Sequence, residues 1–174
     1  ETRAAILPSA KNALLEFNNV TFTYADGIPV LDHMSFTVQR GQVAAFVGPS
    51  GAGKSTIFKL LLGCYPVQRG SVFVEGHSIN NLLLAGLRDQ FAYIPQNAFL
   101  YAGTVYENIS YGKPGATREE VIRAAKAANA HDFIMEFDQG YDTKIGELGV
   151  RLSGGQRQRI AIARALLKDA PILL

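Results

Sequence analysis

The chain has 174 residues, 48% hydrophobic and 18% charged, with a formal net charge of +2 and a single cysteine, a size that suits one domain with a sizeable core. So small a charge does not imply a nucleic-acid partner, and the apolar runs fall well short of the ~20 residues a membrane span needs. Cys64 can form no internal disulfide and has no metal-ligand spacing around it, which is compatible with a reducing compartment.

Residues 1–12 lack the basic-then-apolar layout of a secretory signal and read as a linker or tail outside the core, with one domain over 13–174. A β portion spans about 13–47. Apolar and polar residues alternate in Val20-Thr21-Phe22-Thr23-Tyr24 and Met34-Ser35-Phe36-Thr37-Val38, with Asp26-Gly27 as the turn signal between them, so this portion is antiparallel. Residues 42–47 run apolar on both faces and predict a strand covered on both sides. A helix follows over 54–63, closed by Gly63.

A short strand at 71–75, a helix at 82–90 and a buried strand at 91–94 ending at Pro95 continue the alternation, which points to a parallel sheet. The stretch from about 104 to 152 reads as a helical lobe, in which Thr117 to Glu120 forms a capping box and residues 124–130 are too rich in small side chains for a strand. Ser153 caps a long helix to about Lys168, after which Asp169-Ala170-Pro171 turns the chain into a last strand. Arg151, Arg157, Arg159, Arg164 and Lys168 are expected to form a solvated helix face, and His33, His77 and His131 to lie on the surface. The fold class is therefore α/β: a mostly parallel sheet with an antiparallel β subdomain and a helical subdomain.

Between the strand at 42–47 and the following helix lies Gly48-Pro49-Ser50-Gly51-Ala52-Gly53-Lys54-Ser55-Thr56, which has the spacing of a phosphate-binding loop and both of its expected flanks. Gly51 and Gly53 let backbone N–H groups converge on phosphate oxygens without a Cβ in the way, and the helix behind offers its positive end. Lys54 supplies a mobile charge for the β- and γ-phosphates, and the Ser55 hydroxyl suits Mg²⁺. With this loop between strand and helix, the expected α/β sheet is of the P-loop NTPase type, but alone the loop establishes only a nucleotide-binding class, from GTPases to small-molecule kinases.

A second motif narrows the class. Leu152-Ser153-Gly154-Gly155-Gln156, continued by Arg157 to Leu166, resembles the signature of ATP-binding cassette proteins. In that family two cassettes meet head to tail, and the signature of one closes on the γ-phosphate held by the other. The resemblance therefore implies ATP and Mg²⁺ as cofactors and a second cassette as partner, with Ser153, Gly154 and Gln156 acting in trans. Such a role suits a helix N-terminus, which favours an anion; read alone, Ser153 is an N-cap and the glycines a flexible lead-in.

By the same resemblance, Gln96 matches the glutamine loop that contacts Mg²⁺ and the attacking water, so Lys54 and Gln96 are the expected catalytic residues in cis and Ser55 and Gln96 the metal contacts. Tyr24 matches the aromatic that stacks on adenine, and Val30 an aliphatic neighbour of its ring. The segment from Phe99 to Ile109, and Thr143 to Gly149 with Glu147, look like the exporter branch, where such segments face the transmembrane domains. The family's Asp and Glu after the strand begun at Ile172 are not in this sequence, which implies a cassette incomplete at its carboxyl end, binding ATP weakly and turning over close to background.

These expectations amount to the ATP-binding domain of an exporter on the cytoplasmic face of a membrane, joined to transmembrane domains and a second nucleotide-binding domain, with no nucleic acid. Two alternatives stay open: a soluble cassette ATPase acting as a mechanical clamp, and a non-catalytic nucleotide-binding module.

Overall fold

The computed structural model describes residues 13–25, 27–146 and 151–174. They belong to two compact units, Glu1–Arg88 and Asp89–Leu174. The expected leading tail, Asp26 of the expected turn and Glu147 lie outside the described residues.

In the first unit β1 (Ala13–Thr23), β2 (Pro29–Gln39), β3 (Arg69–Val74) and β4 (His77–Ser78) form one antiparallel sheet in the order β2-β1-β3-β4. β1 is buried continuously from Ala13 to Phe17 and then alternates, burying Val20 and Phe22. Phe17 pairs with Phe36 across the ladder, their rings stacked 4.5 Å apart, an arrangement worth about 0.5–1.5 kcal/mol beyond its area burial. The register shifts between Phe17 and Val20, where Asn19 takes φ 51° and its N–H donates to Ser35 Oγ. The antiparallel sheet thus draws on 69–78 as well as the early residues. Helix α1 (Lys54–Leu61) buries Ile57, Leu60 and Leu61, the i, i+3, i+4 stripe of an amphipathic helix.

One expected strand does not form. Residues 42–47 carry no ladder, and Val43 and Val47 are 98% and 94% exposed. A run that is apolar on both faces becomes a strand only where partners take up its backbone N–H and C=O groups and layers cover its faces. Among the described residues no strand pairs with it.

Helix α2 (Leu84–Asp89), shorter than the expected 82–90, leads to the second unit. There β5 (Phe91–Ala92), β6 (Gly103–Thr104), β7 (Lys144–Ile145) and β8 (Ile172–Leu173) pair as β5 with β8, parallel, and β6 with β7, antiparallel. The β5–β8 ladder is extended by Ile94 N–H donating to Leu174 O, and it is the parallel component of the fold among the described residues. The unit's helices are α3 (Val105–Ser110), α4 (Arg118–Ala127), α5 (His131–Met135) and α6 (Gly154–Lys168), of which α6 lies against β5.

Their core joins Val105, Ile109, Val121, Ile134, Ile160 and Ala163, and each large aliphatic side chain so buried contributes about 1.5–3 kcal/mol. The small residues Ala124, Ala125 and Ala128 on one side of α4 let it pack closely on α6. Capping boxes open three of these helices: Thr104 with Glu107, Thr117 with Glu120, and Ser153 with Gln156. The Thr117 box matches the sequence reading, Ser153 is the N-cap expected there with the reciprocal bond from Gln156 added, and α6 ends at Asp169 in the left-handed conformation, φ 52°.

Candidate functional site

In the first unit the loop from Gly48 enters α1 through two left-handed glycines, Gly51 with φ 86° and Gly53 with φ 82°. Gly53 is required twice over. A Cβ there would stand 2.8 Å from both Leu31 Cδ2 and the Val30 carbonyl oxygen, and 3.2 Å from Val30 Cγ1. β2 therefore presses on the loop through a gap that only glycine fits. At Gly51 a Cβ would meet nothing within 4 Å, so that glycine is needed for its backbone conformation alone.

The Gly53 carbonyl accepts from the N–H groups of Thr56 and Ile57, at 2.9 and 3.2 Å, and so starts the helix. Ala52 N–H donates to Pro49 O at 3.3 Å, tightening the loop, while Ser50, Ala52 and Ser55 are exposed along it. Lys54, the first residue of α1, turns back over the loop, and its Nζ donates to the carbonyls of Gly48 and Pro49 at 2.7 and 2.6 Å. The ammonium is thus held at the loop's entrance by neutral acceptors, which an anionic oxygen would outcompete.

Two further predicted residues converge on this loop. Tyr24, directly after β1, places its hydroxyl 3.0 Å from Thr56 Oγ1, and the Lys59 ammonium lies 5.5 Å from its ring centre. Tyr65 and Phe22 meet the same ring edge-on at 5.4 and 5.0 Å. Val30 backs the loop through its contact with Gly53. Sequence reasoning placed both residues by their resemblance to adenine contacts; their links to Thr56 and Gly53 emerge only from the packing.

In the second unit Gln96 is exposed in the loop beyond β5. Leu152 is part of the core, anchoring the entry to α6. Ser153 N–H donates to Gln156 Oε1 at 2.8 Å while Ser153 Oγ accepts from Gln156 N–H at 3.2 Å. Gly154 and Gly155 follow at the helix start, where a Cβ would meet nothing nearer than guanidinium tips of Arg157 and Arg159 at 3.9 Å. Neither the fold nor φ demands glycine at these two positions, so what the residue type provides is bare backbone facing outward. With no acidic residue in the first turn and two arginines beside it, this end of α6 favours an anion. Next to it a cavity of about 360 Å³ is lined by Phe99, Leu100, Ile145, Arg151, Leu152 and Arg157 among others.

Of the basic residues of α6 expected on a solvated face, Arg157 is exposed, whereas Arg159, Arg164 and Lys168 are half-buried. Arg157 donates to Leu152 O at 2.5 Å, Arg159 lies over the Phe133 ring at 5.0 Å, and Lys168 donates to Phe91 O at 2.8 Å. Arg164 is half-buried and bonds to Asn108 and Phe99; burial lowers its pKa. Their aliphatic stems cover the core while their heads find carbonyls and rings. His131 also differs, being half-buried with Nδ1 2.9 Å from the Tyr141 hydroxyl, whereas His33 and His77 are exposed.

Asn108 went unnoticed in the sequence. It is buried between Val105 and Ile109, with its amide donating to the carbonyls of Tyr101 and Thr104 and its oxygen accepting from Tyr101 N–H. The available signal was a polar residue at a core position of an otherwise apolar helix face. Among the described residues no group of three or more His, Cys, Asp or Glu could hold a metal ion, and no helix is long and apolar enough to cross a membrane.

Comparison with known proteins bears on both motifs. The family model described as ABC transporter matches residues 31–174. The chain is 50% identical over 160 residues to an ATP-dependent lipid A-core flippase of Syntrophus aciditrophicus, covering 92% of this chain and 26% of that protein. It is 48% identical over 160 residues to an uncharacterized ABC transporter ATP-binding protein of Sinorhizobium fredii, covering 92% of this chain and 27% of the relative. The solved structure of a bacterial Atm1-family ABC exporter with ATP bound superposes with a TM-score of 0.88 at 44% identity, over 95% of this chain and 29% of that one. The chain thus spans about a quarter of the length of these relatives. With the match running from β2 through the phosphate-type loop to the end of α6 and beyond, this chain belongs to the ABC transporter family.

Proposed function

We propose that the chain is the ATP-binding portion of an exporter-type ABC transporter, in which ATP binding and hydrolysis drive export of a substrate. The family implies ATP as the nucleotide, and the similarity to a flippase and an exporter supports export over a soluble clamp. The observation that carries the reading is the loop itself, where Gly53 is wedged in the left-handed conformation against Val30 and the Lys54 ammonium is parked on two loop carbonyls.

In this reading residues 49–56 cradle the phosphates, Lys54 moves from the Gly48 and Pro49 carbonyls to the β- and γ-phosphate oxygens, and Tyr24 and Val30 take the adenine. The exposed Ser55 hydroxyl and the Gln96 amide are the hard oxygen donors that suit Mg²⁺, whose chemistry would be to neutralise charge building on the transferred phosphoryl group. Lys54 and Gln96 orient the reacting groups. The bare backbone of Gly154 and Gly155, set by the Leu152 anchor and the Ser153–Gln156 box, meets the γ-phosphate held by a second copy or a related cassette. In this reading the aromatics Phe99, Tyr101 and Tyr111, which are exposed, face the transmembrane part, and the chain works on the cytoplasmic side of the membrane.

A Mg·ATP titration with Lys54→Ala as control tests the reading. Loss of the charge-assisted bonds to phosphate should weaken binding by at least about tenfold. Equal affinity in the two proteins refutes the assignment of the loop.

A further inference from the structure

Phe99, Tyr101 and Tyr111 form an exposed aromatic face, with the Phe99 and Tyr101 rings edge-on at 5.3 Å and the Tyr101 and Tyr111 rings tilted 38° at 4.7 Å. Two of them stand on loop residues 99–102, which belong to no helix or strand. Large exposed rings on a loop need a support that fixes them, and here it comes from a distant element. Arg164 of α6 donates through Nε to Asn108 O at 2.8 Å, through Nη2 to Asn108 Oδ1 at 3.0 Å and through Nη1 to Phe99 O at 3.1 Å. Its guanidinium carbon lies 5.2 Å from the Tyr101 ring centre.

Asn108 relays the hold by clasping both backbone groups of Tyr101, its oxygen accepting from the N–H at 2.8 Å and its amide donating to the carbonyl at 2.9 Å. Close to Tyr111 the backbone itself lies against α6, because a Cβ on Gly112 would be 2.1 Å from the Arg164 carbonyl oxygen.

We propose that Arg164 is the positioning residue that locks the Phe99–Tyr101–Tyr111 face to α6, so that this face and the Ser153–Gln156 end of the same helix move as one body. Arg164 and Ser153 are eleven residues apart, about 16 Å along one helix at 1.5 Å per residue. The significance of the coupling rests on the reading given above, in which one end meets nucleotide and the other a transmembrane partner. The geometry of the lock does not. A planar fork is needed, since a lysine ammonium at this position could not reach the Phe99 carbonyl and both Asn108 oxygens together.

Amide exchange on the chain decides between a lock and a bystander. In Arg164→Met the Tyr101 N–H should exchange about tenfold faster, the loss of roughly one net hydrogen bond, with Arg164→Lys rescuing only part of it and residues 158–162 of α6 holding their rates. A wild-type Tyr101 rate overturns the proposal. If Arg164→Met does not fold, Arg164→Lys alone decides by the same rate.

A spectrophotometric titration separates positioning from mere charge. Tyr111's hydrogen bond first, and then burial, raise the Tyr101 phenol pKa, and the Arg164 charge opposes that rise as the smallest of the effects. Removing charge alone would push the Tyr101 midpoint further up. Loosening the loop breaks the Tyr101–Tyr111 bond and brings the midpoint down toward its ordinary value, which is the expected result; a rise overturns the lock. In the complete protein, Arg164→Lys should lower kcat for ATP about tenfold with KM unchanged, and an unchanged kcat, or a KM raised in step with its fall, counts against it. Should Lys54→Ala leave nucleotide affinity intact, the functional reading fails while the exchange result still stands or falls alone.

Discussion

The pair Gly53→Ala and Gly51→Ala separates two reasons for glycine within one loop. Both residues are left-handed, φ 82° and 86°, and forcing an L side chain there costs about 1–2 kcal/mol. At Gly51 that is the whole cost, because the new methyl meets nothing within 4 Å. At Gly53 the methyl would also stand 2.8 Å from a backbone carbonyl oxygen and from Leu31 Cδ2. Leu31 can shift, but the Val30 carbonyl belongs to the β1–β2 sheet and cannot without disturbing it. Overpacking of this kind adds about 1–3 kcal/mol, so Gly53→Ala should cost about 2–5 kcal/mol against 1–2 for Gly51→Ala. Paired urea or thermal melts followed by circular dichroism measure the difference, and Mg·ATP titration of both proteins shows whether the loop keeps its shape. Equal destabilisation by the two substitutions would mean that β2 does not press on the loop, and the wedge argued from Val30 would be wrong.

Three other perturbations probe the second unit. Ser153→Ala removes one half of a capping box and should cost about 1 kcal/mol, seen as faster amide exchange confined to the first turn of α6; uniform exchange changes along the helix would refute the cap. Asn108→Leu leaves Tyr101 N–H and the carbonyls of Tyr101 and Thr104 without their partner, at about 1–3 kcal/mol for each group that stays buried, so its melting temperature should fall further than that of a surface Asn→Leu change. On the acid side, hydrogen bonds from the Thr104 backbone lower the pKa of Glu107, and the bond from Lys113, followed by that from the Thr117 backbone, lowers that of Glu120. Groups depressed in the folded state contribute stability above their ordinary value of 4.5 and lose it as pH falls through their folded pKa. The N-terminal turns of α3 and α4 should therefore fray below that pH, and Glu107→Gln with Glu120→Gln should flatten the acid limb of a pH-dependent melt; an unchanged limb would count against these caps.

What could be read from the sequence was whatever is settled within a few residues. A capping box needs only positions i and i+3, so Thr117 with Glu120 was legible and Ser153 could be read as an N-cap, while Ser153 with Gln156 and Thr104 with Glu107 carried the same box signal without being singled out. The loop was legible for the same reason: its glycines fix backbone angles locally, and its lysine reaches carbonyls five and six residues away. What could not be read depended on distant partners. Residues 42–47 have the composition of a covered strand, yet strand state is a property of a ladder, and none is present for them among the described residues.

Arg164 shows the same limit from the polar side. In a helical repeat it reads as one more solvated cation, and the acceptors that change its meaning lie 56 and 65 residues earlier in the chain. Composition gives a charge its sign, but only tertiary packing decides whether that charge is spent on solvent or on carbonyls, and α6 carries both outcomes of the fold's logic. Its first turn leaves backbone donors bare at Gly154 and Gly155, where nothing in the packing calls for glycine. Three turns later the same helix gives up a guanidinium to hold a loop. Local structure alone requires neither feature. Both make sense if α6 links what binds at its N-terminus to what docks on the aromatic face, and the Arg164 and Ser153 variants together test that link from its two ends.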